Sequence, residues 1–391
     1  MKNILFVYKE EYPWDIRVEK IVNTLKGQHR VTLLARNNDD RRDSEQADGY
    51  LIKRLPYFRF LPRTINRVIQ MSFWFNPLWI VLMVKMLRHM SVDVLIIRDL
   101  PLMPLAVILK KFFKMRVIFD MAECYPLMYE SYAQFRQQSI GEKMLKSSYL
   151  AARAERFSLN RCDHVWVMIE ESRDRLLEMG LNGEKISIVS NTPLLPANLV
   201  RKIHHGCELR IAYVGFLTPL RGLDYLIEAI GVFVNHPLGG SDIRLDIVGK
   251  GESKAELQLL VDQLGLSRYI FIHGWLDNDA VHRILDAANV GTLTYRICSH
   301  WNNTIPNKLF DYMLNGLPVM ATEVKPIKRI LGETGAGITS VPDSSALADV
   351  LIELKSAALR NAMGEKGMLA VQNRYNWNYE ERVLNETVER W

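Results

Sequence analysis

The sequence predicts an α/β protein with two doubly wound, Rossmann-like domains. Short apolar segments alternate with helical patterns through both halves of the chain, which is typical of parallel sheets covered by helices on both faces. A proline-containing stretch with a basic tail, residues 191–206, interrupts this alternation and is typical of a linker. With 391 residues, 48% of them hydrophobic, the chain can form two cores. We therefore predict domains over residues 1–195 and 196–372, followed by a helical segment over 373–391.

In the first half, brief apolar runs bounded by polar residues predict strands, and an apolar periodicity of about 3.6 residues predicts a helix. The strands are Ile4–Tyr8, Val31–Ala35, Val94–Arg98, Val117–Asp120 and His164–Met168, and the helix is Arg17–Leu25.

The second half repeats this alternation. Its predicted strands are Arg210–Val214, Arg244–Val248, Tyr269–His273, Gly291–Thr294 and Leu317–Ala321, with helices at Leu223–Val234, Lys254–Leu264 and Asp279–Ala287. Ligands of doubly wound sheets bind beyond the carboxyl ends of the strands. We therefore expect a ligand cleft between the two domains, which face each other across it.

The four cysteines are scattered and form no close pair. This spacing argues against a disulfide framework and a zinc site and fits a reducing compartment. The first apolar run is too short for a secretory signal. We therefore expect a cytoplasmic protein without a metal ion or other cofactor.

Positive charge is concentrated in the first half. Residues 1–199 carry 30 Lys and Arg against 22 Asp and Glu, a net charge of +8, and the remainder carries 20 against 22, a net charge of −2. Between Lys53 and Arg116, 12 basic residues accompany only two acidic ones, Asp93 and Asp99. The first part of this segment also carries the aromatic residues Tyr57, Phe58, Phe60, Phe73, Trp74, Phe75 and Trp79.

Three interpretations of this basic, aromatic segment can be compared. Contact with an anionic membrane surface is preferred, because basic and aromatic residues together favour the interface. Core helices with a solvated basic face are the alternative. Nucleic-acid binding is not expected, since no recognisable nucleic-acid module is present. The apolar run Pro77–Val84 is too short to span a bilayer.

The segment 303–322 combines a polar loop, a short helix, a Gly-Leu-Pro break and an apolar strand. Amides at the helix entry, near Asn307, could receive a diphosphate. Lys308 and Asp311 lie at i and i+3 on one helix face, and the Asp311 carboxylate could accept hydrogen bonds from a ribose diol. A surface salt bridge between Lys308 and Asp311 is the alternative interpretation.

The pattern of residues 213–230 predicts a strand, then a glycine-containing loop, then a helix. Gly215 would let the backbone approach a ligand closely. Arg221 lies just before the helix, where a guanidinium could bind phosphate oxygens with two hydrogen bonds.

These two segments resemble the donor site of retaining B-type glycosyltransferases of family 4, the group 1 glycosyltransferases, of the surface-polysaccharide type. Asp311, Gly316 and Pro318 keep the family spacing, and Asn303 and Asp311 replace its two glutamates. Arg221 occupies the place of the second of two phosphate-binding cations; Phe216 replaces the first.

The resemblance implies the GT-B fold and metal-independent transfer of a hexose from a nucleotide diphosphate-sugar, with retention, to a lipid-linked or polysaccharide acceptor. It also implies that the segment 373–391 packs back on the first domain. The donor-binding residues would be Gly215, Arg221, Gly274, Asn303, Asn307, Lys308 and Asp311. The catalytic residues would be Arg221, Lys308, Asn303 and Glu123.

Residues of the first domain are expected to bind the acceptor. Glu123 belongs to a motif after the strand Val117–Asp120, in which Ala122 replaces the family histidine. Asp15 and Arg17 belong to an Asp-x-Arg-Val motif after the first strand. Helix capping would explain Asp15 and Glu123 equally well.

Two rival functions are a sugar-nucleotide epimerase, which shares the fold and donor site, and a non-catalytic partner subunit. The scarcity of acidic residues in the expected loops, with Ala122 and Asn303 where charged groups might be, disfavours the epimerase. Replacement of the first glutamate and the first cation leaves the partner subunit open. The basic segment places the preferred enzyme at the inner face of the cell membrane.

Overall fold

The computed structural model describes residues 1–13, 15–72, 74–135, 141, 145–199 and 202–391. The chain divides into two compact units. The first contains Met1–Glu130, Ser139–Asn191 and Glu380–Trp391, and the second contains Ser131–Gln138 and Thr192–Tyr379. The division therefore falls four residues before the predicted boundary at residue 195, and a short segment near residue 131 joins the second unit.

The first unit contains an eight-stranded sheet with the order β3-β4-β2-β1-β5-β6-β7-β8. The strands are β1 Asn3–Glu11, β2 Arg30–Arg36, β3 Ser44–Ala47, β4 Tyr50–Arg54, β5 Val94–Arg98, β6 Arg116–Met121, β7 His164–Val167 and β8 Ile186–Ile188. Neighbouring strands are parallel except β3 and β4, which are antiparallel. The central strands β1, β5 and β6 are almost wholly buried in their apolar parts because helices cover both faces.

Helices described in the first half of the chain are α1 Ile16–Lys26, α2 Arg63–Ile69, α3 Pro77–His89, α4 Met103–Leu109, α5 Tyr125–Phe135, α6 Ser148–Leu159 and α7 Glu170–Glu178. The predicted helix Arg17–Leu25 corresponds to α1. Asp15 caps α1, because its side chain accepts hydrogen bonds from the amides of Arg17 and Val18.

The second unit contains a six-stranded parallel sheet with the order β11-β10-β9-β12-β13-β14. The strands are β9 Leu209–Val214, β10 Ile243–Val248, β11 Ile270–Gly274, β12 Val290–Leu293, β13 Val319–Thr322 and β14 Gly337–Ser340. The remaining helices are α8 Leu223–Asn235, α9 Lys254–Gln263, α10 Asn278–Ala287, α11 Lys308–Leu314, α12 Lys325–Thr334, α13 Ser344–Glu353, α14 Ala357–Asn373 and α15 Trp377–Glu389.

Both sheets confirm the α/β, Rossmann-like class, with every predicted strand present within a few residues. The prediction missed β3, β4, β8 and β14. β3 is polar and largely exposed, so it carries no apolar run. β14 is only half-buried, so the usual signal of a buried strand is weak there.

The last residues of the chain belong to the first unit. The Lys2 ammonium donates to the carbonyl of Val388 (2.6 Å), and the Ser190 amide donates to Glu380 Oε2 (2.9 Å). These bonds attach α15 to the first strand region at Lys2 and to the segment after β8 at Ser190.

Candidate functional site

A glycine fixes the loop between β9 and α8. Gly222 has φ +58°, and a Cβ atom at this position would lie 2.2 Å from the carbonyl oxygen of Thr294. Only glycine therefore lets this loop pack against the end of β12. The preceding residue, Arg221, is thereby brought beside Tyr295.

The Arg221 guanidinium lies against two buried aromatic rings. Its Cζ atom is 4.5 Å from the ring centroid of Tyr295 and 4.5 Å from that of Trp301. Its Nη1 also donates a hydrogen bond to the Tyr295 hydroxyl. This combination of stacking and hydrogen bonding orients the guanidinium before any ligand binds.

A second cation acts at the same hydroxyl. Burial raises the pKa of the Tyr295 phenol, while the positive charges of Arg221 and Lys308 oppose that rise. The positive charges of Arg221 and Lys308, which belong to two different segments, therefore both act on one phenol. Such a pair of cations suits a ligand with two negative charges.

Lys308 is also paired with its own helix. Its Nζ lies 2.9 Å from Asp311 Oδ2, and about a third of each side chain is exposed. The salt bridge of the alternative interpretation is thus present in the protein without a ligand. The expectation that Asp311 binds a ribose stays a prediction.

Asn303 and Asn307 precede α11 in the same loop. The Asn303 side chain donates to the carbonyl of Ser299 (2.9 Å), and Asn307 begins α11 without a side-chain capping bond. Because α11 has only seven residues, the argument for anion binding depends on Arg221 and Lys308 rather than on the helix end.

Three glycines form the carboxyl ends of β9, β10 and β11. A Cβ atom on Gly249 would lie 1.7 Å from the Gly215 carbonyl oxygen, and the Gly249 amide donates to the Gly274 carbonyl (2.8 Å). Close backbone packing therefore requires glycine at position 249, where φ is +150°. Gly215 and Gly274 lie on either side of it. The exposed Trp275 ring follows, with the Lys250 ammonium 4.8 Å from its centroid.

The first unit holds a second group of charged residues at the carboxyl ends of β1, β5 and β6. Arg17 and Asp120 form a fully buried ion pair with a shortest distance of 2.6 Å. Arg17 Nη1 also donates to the carbonyl of Val189 (2.7 Å). Arg98 links Asp120 (3.2 Å) to Asp15 (3.1 Å). The four side chains form one network that joins β5 and β6 to the start of α1.

The carboxyl groups of this region have different environments. Burial alone would raise the pKa of Asp15, but the Arg98 guanidinium and the Arg17 amide hold it below its usual range. Burial raises the pKa of the Asp99 carboxyl, although the charges of Arg98 and Lys9 oppose this. Asp99 also has φ +68° and ψ +165°, a region populated almost only by glycine.

Comparison with known proteins identifies the family. The model of the group 1 glycosyl transferases matches residues 208–356, and the model of the glycosyl transferase 4-like domain matches residues 16–192. The chain belongs to the group 1 glycosyltransferases. The two matches cover both sheets described above except strand β1, which precedes the first matched residue.

This glycosyltransferase is 26% identical over 228 residues to the amylovoran biosynthesis glycosyltransferase AmsK of Erwinia amylovora, covering 55% of this chain. The chain spans about half the length of that relative, 53%. Its fold is that of solved GT-B structures. Sucrose-phosphate synthase of Thermosynechococcus elongatus matches with a TM-score of 0.77 at 16% identity, covering 100% of this chain and 99% of that one. Anabaena HepE in complex with UDP and glucose matches with a TM-score of 0.70 at 13% identity, covering 100% of both chains.

The structure brings some predicted residues together and encloses others. The charges of Arg221 and Lys308 both act on the Tyr295 phenol, whereas Arg17 has no exposed surface and donates to Asp120 and to the Val189 carbonyl. The expectation that Arg17 contacts an acceptor is therefore corrected: an enclosed, paired guanidinium positions the strand ends. Glu123 is partly buried in the turn between β6 and α5 and stays a predicted acceptor-binding residue.

Sequence reasoning missed Tyr295, Trp301, Arg98 and Asp99 as members of these groups. Arg98 ends the buried strand β5 and Asp99 directly follows it, and that position was a usable signal. The two rings carried no such signal, because their contact with each other and with Arg221 depends on tertiary packing rather than on spacing.

A cavity lies apart from both groups of residues described above, and the described part of the chain offers no metal site. A cavity of about 370 Å³ is lined in part by Lys2, Lys114, Arg116 and Trp391. It lies at the amino ends of β1, β5 and β6, the opposite edge of the sheet from the charged network. Within the described residues, no group of three or more His, Cys, Asp or Glu side chains could hold a metal ion.

Proposed function

We propose that this glycosyltransferase moves a sugar from a nucleotide diphosphate-sugar to a lipid-linked or polysaccharide acceptor with retention of configuration. The observation that carries the proposal is the Arg221 guanidinium fixed against Tyr295 and Trp301, with the Lys308 charge acting at the same phenol. A preoriented guanidinium, with a second positive charge acting on the same phenol, suits the diphosphate that leaves during transfer.

In this proposal Arg221 and Lys308 stabilise the negative charge that develops on the diphosphate. Each such preorganised donor can contribute roughly 3 kcal/mol to lowering the barrier. The bond between the anomeric carbon and the phosphate oxygen breaks, and the acceptor oxygen bonds to the same face of that carbon. The acceptor proton passes to the departing phosphate, so no protein nucleophile or metal ion is needed.

The remaining predicted residues complete the proposed donor site. Asp311 would bind the ribose and Asn303 the sugar or phosphate. Backbone groups of Gly215, Gly274 and Asn307 would line the nucleotide. Glu123 would contact the acceptor. The UDP and glucose named in the HepE complex support the donor class, and the amylovoran biosynthesis named for AmsK supports a polysaccharide acceptor.

A surface of the first unit supports attachment to an anionic membrane at the cytoplasmic face. We define this basic-apolar surface by exposed residues of α2, α3 and the loops that precede them: Arg59, Phe60, Arg63, Ile65, Arg67, Val68, Phe75, Val81 and Lys85. Cations attract anionic lipids, and exposed apolar side chains can enter the headgroup region. In the described residues, no helix is long and apolar enough to cross a bilayer.

Donor binding and turnover test the proposal. A panel of UDP-, GDP-, dTDP- and ADP-sugars is screened by thermal shift, since a ligand that binds the folded form raises its stability. Arg221→Ala should lower the affinity for the selected donor at least tenfold, and Lys308→Met should act in the same direction. NMR of the product, which reports its anomeric configuration, tests retention.

Arg210→Ala is the matched control, because Arg210 lies in the same sheet at the amino end of β9 and pairs with Glu208. It should bind the donor as the wild type does. Donor affinity unchanged in Arg221→Ala would contradict the phosphate role. Interconversion of the donor sugar without an acceptor would indicate the epimerase, and binding without turnover would indicate the non-catalytic subunit.

A further inference from the structure

Asp99 occupies a position where glycine would be expected. It is the first residue after β5, and its backbone, held by a hydrogen bond from its amide to the Asp120 carbonyl (3.0 Å), has φ +68°. Among the described non-glycine residues, only Asp40 shares a positive φ, and Asp40 is exposed in a loop. A strained residue with a side chain, kept at the carboxyl edge of a sheet, suggests a use for that side chain.

The Asp99 carboxylate is enclosed but incompletely paired. The residue is 7% exposed, and its Oδ1 atom has no hydrogen-bond partner in the described structure. The nearest ammonium, Lys9 Nζ, lies 4.0 Å from Oδ2, beyond hydrogen-bond distance. Asp120, by contrast, accepts hydrogen bonds from both Arg17 and Arg98. A buried carboxylate oxygen with an unused acceptor position is suited to a hydroxyl donor.

An ammonium and two tyrosine rings lie in the neighbourhood of this carboxylate. The Lys9 ammonium is 5.9 Å from the Tyr125 ring centroid, and the Tyr125 and Tyr129 rings meet edge to face at 5.5 Å. Burial raises the pKa of both phenols, and the Asp99 charge adds to the rise, to about 12 for Tyr129. Aromatic rings beside a carboxylate and an ammonium offer the apolar and polar contacts that a sugar requires.

The charge balance favours a neutral ligand over a phosphate. The guanidinium groups of Arg17 and Arg98 are already bound by Asp120 and Asp15. Lys9 lies 3.2 Å from Glu10 as well as near Asp99. No cation among these described residues is left for an anion, whereas the Asp99 carboxylate can still accept a hydrogen bond.

We propose that Asp99 binds a hydroxyl of the acceptor sugar, with Lys9, Tyr125 and Tyr129 forming the rest of this subsite. The inference rests on the function proposed above and deepens it. Asp99 holds the acceptor in place, while the transferred proton still passes to the departing phosphate.

The test compares Asp99→Asn and Asp99→Gly with the wild type. The assays are transfer from the selected donor to octyl glycosides of glucose, galactose, mannose and N-acetylglucosamine, donor hydrolysis by water, and octyl glycoside binding by saturation-transfer NMR. Both variants should lose at least about 100-fold in kcat/KM for transfer, because a site built to bind a hydroxyl depends on that bond. Donor hydrolysis and donor affinity should stay within twofold of the wild type, and octyl glycoside binding should be lost.

Asp99→Gly also separates a binding role from a structural one. Glycine relieves the backbone strain, so the unfolding midpoint should equal or exceed that of the wild type while transfer is lost. Asp40→Gly is the matched control: it relieves strain at an exposed position and should leave transfer unchanged.

Three results would overturn the inference while leaving the proposed function intact: transfer unchanged in both Asp99 variants, hydrolysis and transfer falling together with the unfolding midpoint, or no octyl glycoside bound by a wild type that turns over a donor. A wild type that neither binds nor turns over any donor of the panel would overturn the proposed function, and this inference with it.

Discussion

Arg17 and Asp120 show how a charged pair is accommodated without any exposed surface. The guanidinium makes hydrogen bonds to both carboxylate oxygens and to the Val189 carbonyl, and Arg98 supplies a second cation to Asp120. Removing water from two charges is costly, and only such complete pairing offsets that cost. The pair therefore fixes the carboxyl ends of the strands that hold Asp99 and Glu123.

Arg17→Met should lower the free energy of unfolding by about 3–5 kcal/mol, because it leaves the buried Asp120 carboxylate with one cation instead of two. Chemical denaturation followed by circular dichroism measures the change. Arg173→Met is the control: Arg173 pairs with Asp174 at an exposed position, so the effect should stay within about 0.5 kcal/mol. Equal effects of the two substitutions would show that burial does not strengthen the role of Arg17.

The helix α2 turns its apolar side chains outward. Its only buried residue is Asn66, whose amide group exchanges hydrogen bonds of 2.9 Å with the backbone of Phe58. Polar bonds rather than apolar packing therefore hold this helix, and Ile65 and Val68 stay exposed. In α3, by contrast, Trp79 is fully buried and donates to the Gln70 carbonyl, as the core-helix interpretation expected. Phe73 lies outside the described residues.

The triple substitution of Arg59, Arg63 and Arg67 by Ser should reduce flotation with phosphatidylglycerol-containing liposomes at least tenfold. Each cation near an anionic surface contributes roughly 1 kcal/mol to binding, although Asp40 and Asp39 partly neutralise the first two here. A triple variant of the exposed Arg153, Arg156 and Arg161 removes the same charge elsewhere in the first unit and should float normally. Undiminished flotation of the first variant would count against the basic-apolar surface as the attachment site.

Across the whole molecule, the sequence was most informative where strands are buried on both faces. The apolar runs of β1, β5 and β9 predict their positions closely, because a central parallel strand must be apolar throughout. The edge strand β3 was missed because its side chains are exposed. Arg221 and Lys308 were selected from the sequence for their places beside the starts of two helices, and their roles at the donor stay predictions. The action of both charges on the Tyr295 phenol depends on tertiary packing, which the sequence pattern does not predict.

Stability of the molecule should fall in acid because two buried histidines resist protonation. Burial lowers the pKa of His164 to about 4 and that of His300 to about 3. Since the unfolded chain takes up these protons near pH 6.5, stability is lost as pH falls below that value, and the loss levels off below the folded pKa. Each histidine should cost about 2 kcal/mol between pH 7 and pH 5.

His164→Gln should flatten this pH dependence, as measured by denaturant unfolding at pH 7 and pH 5. The exposed His282→Gln serves as the control and should retain the wild-type slope. Because His164 belongs to the first unit and His300 to the second, His164→Gln should act on the transition of the first unit where two transitions are resolved. An unchanged slope in His164→Gln would contradict the prediction.

The membership of Glu380–Trp391 in the first unit has a consequence for biogenesis. Domains usually fold in order of synthesis on the ribosome, yet here the segment that contacts Lys2 and Ser190 is translated after the whole second unit. During synthesis the first unit therefore cannot complete its native contacts until α15 emerges from the exit tunnel. Until then Lys2 and Ser190 lack their bonds to Val388 and Glu380.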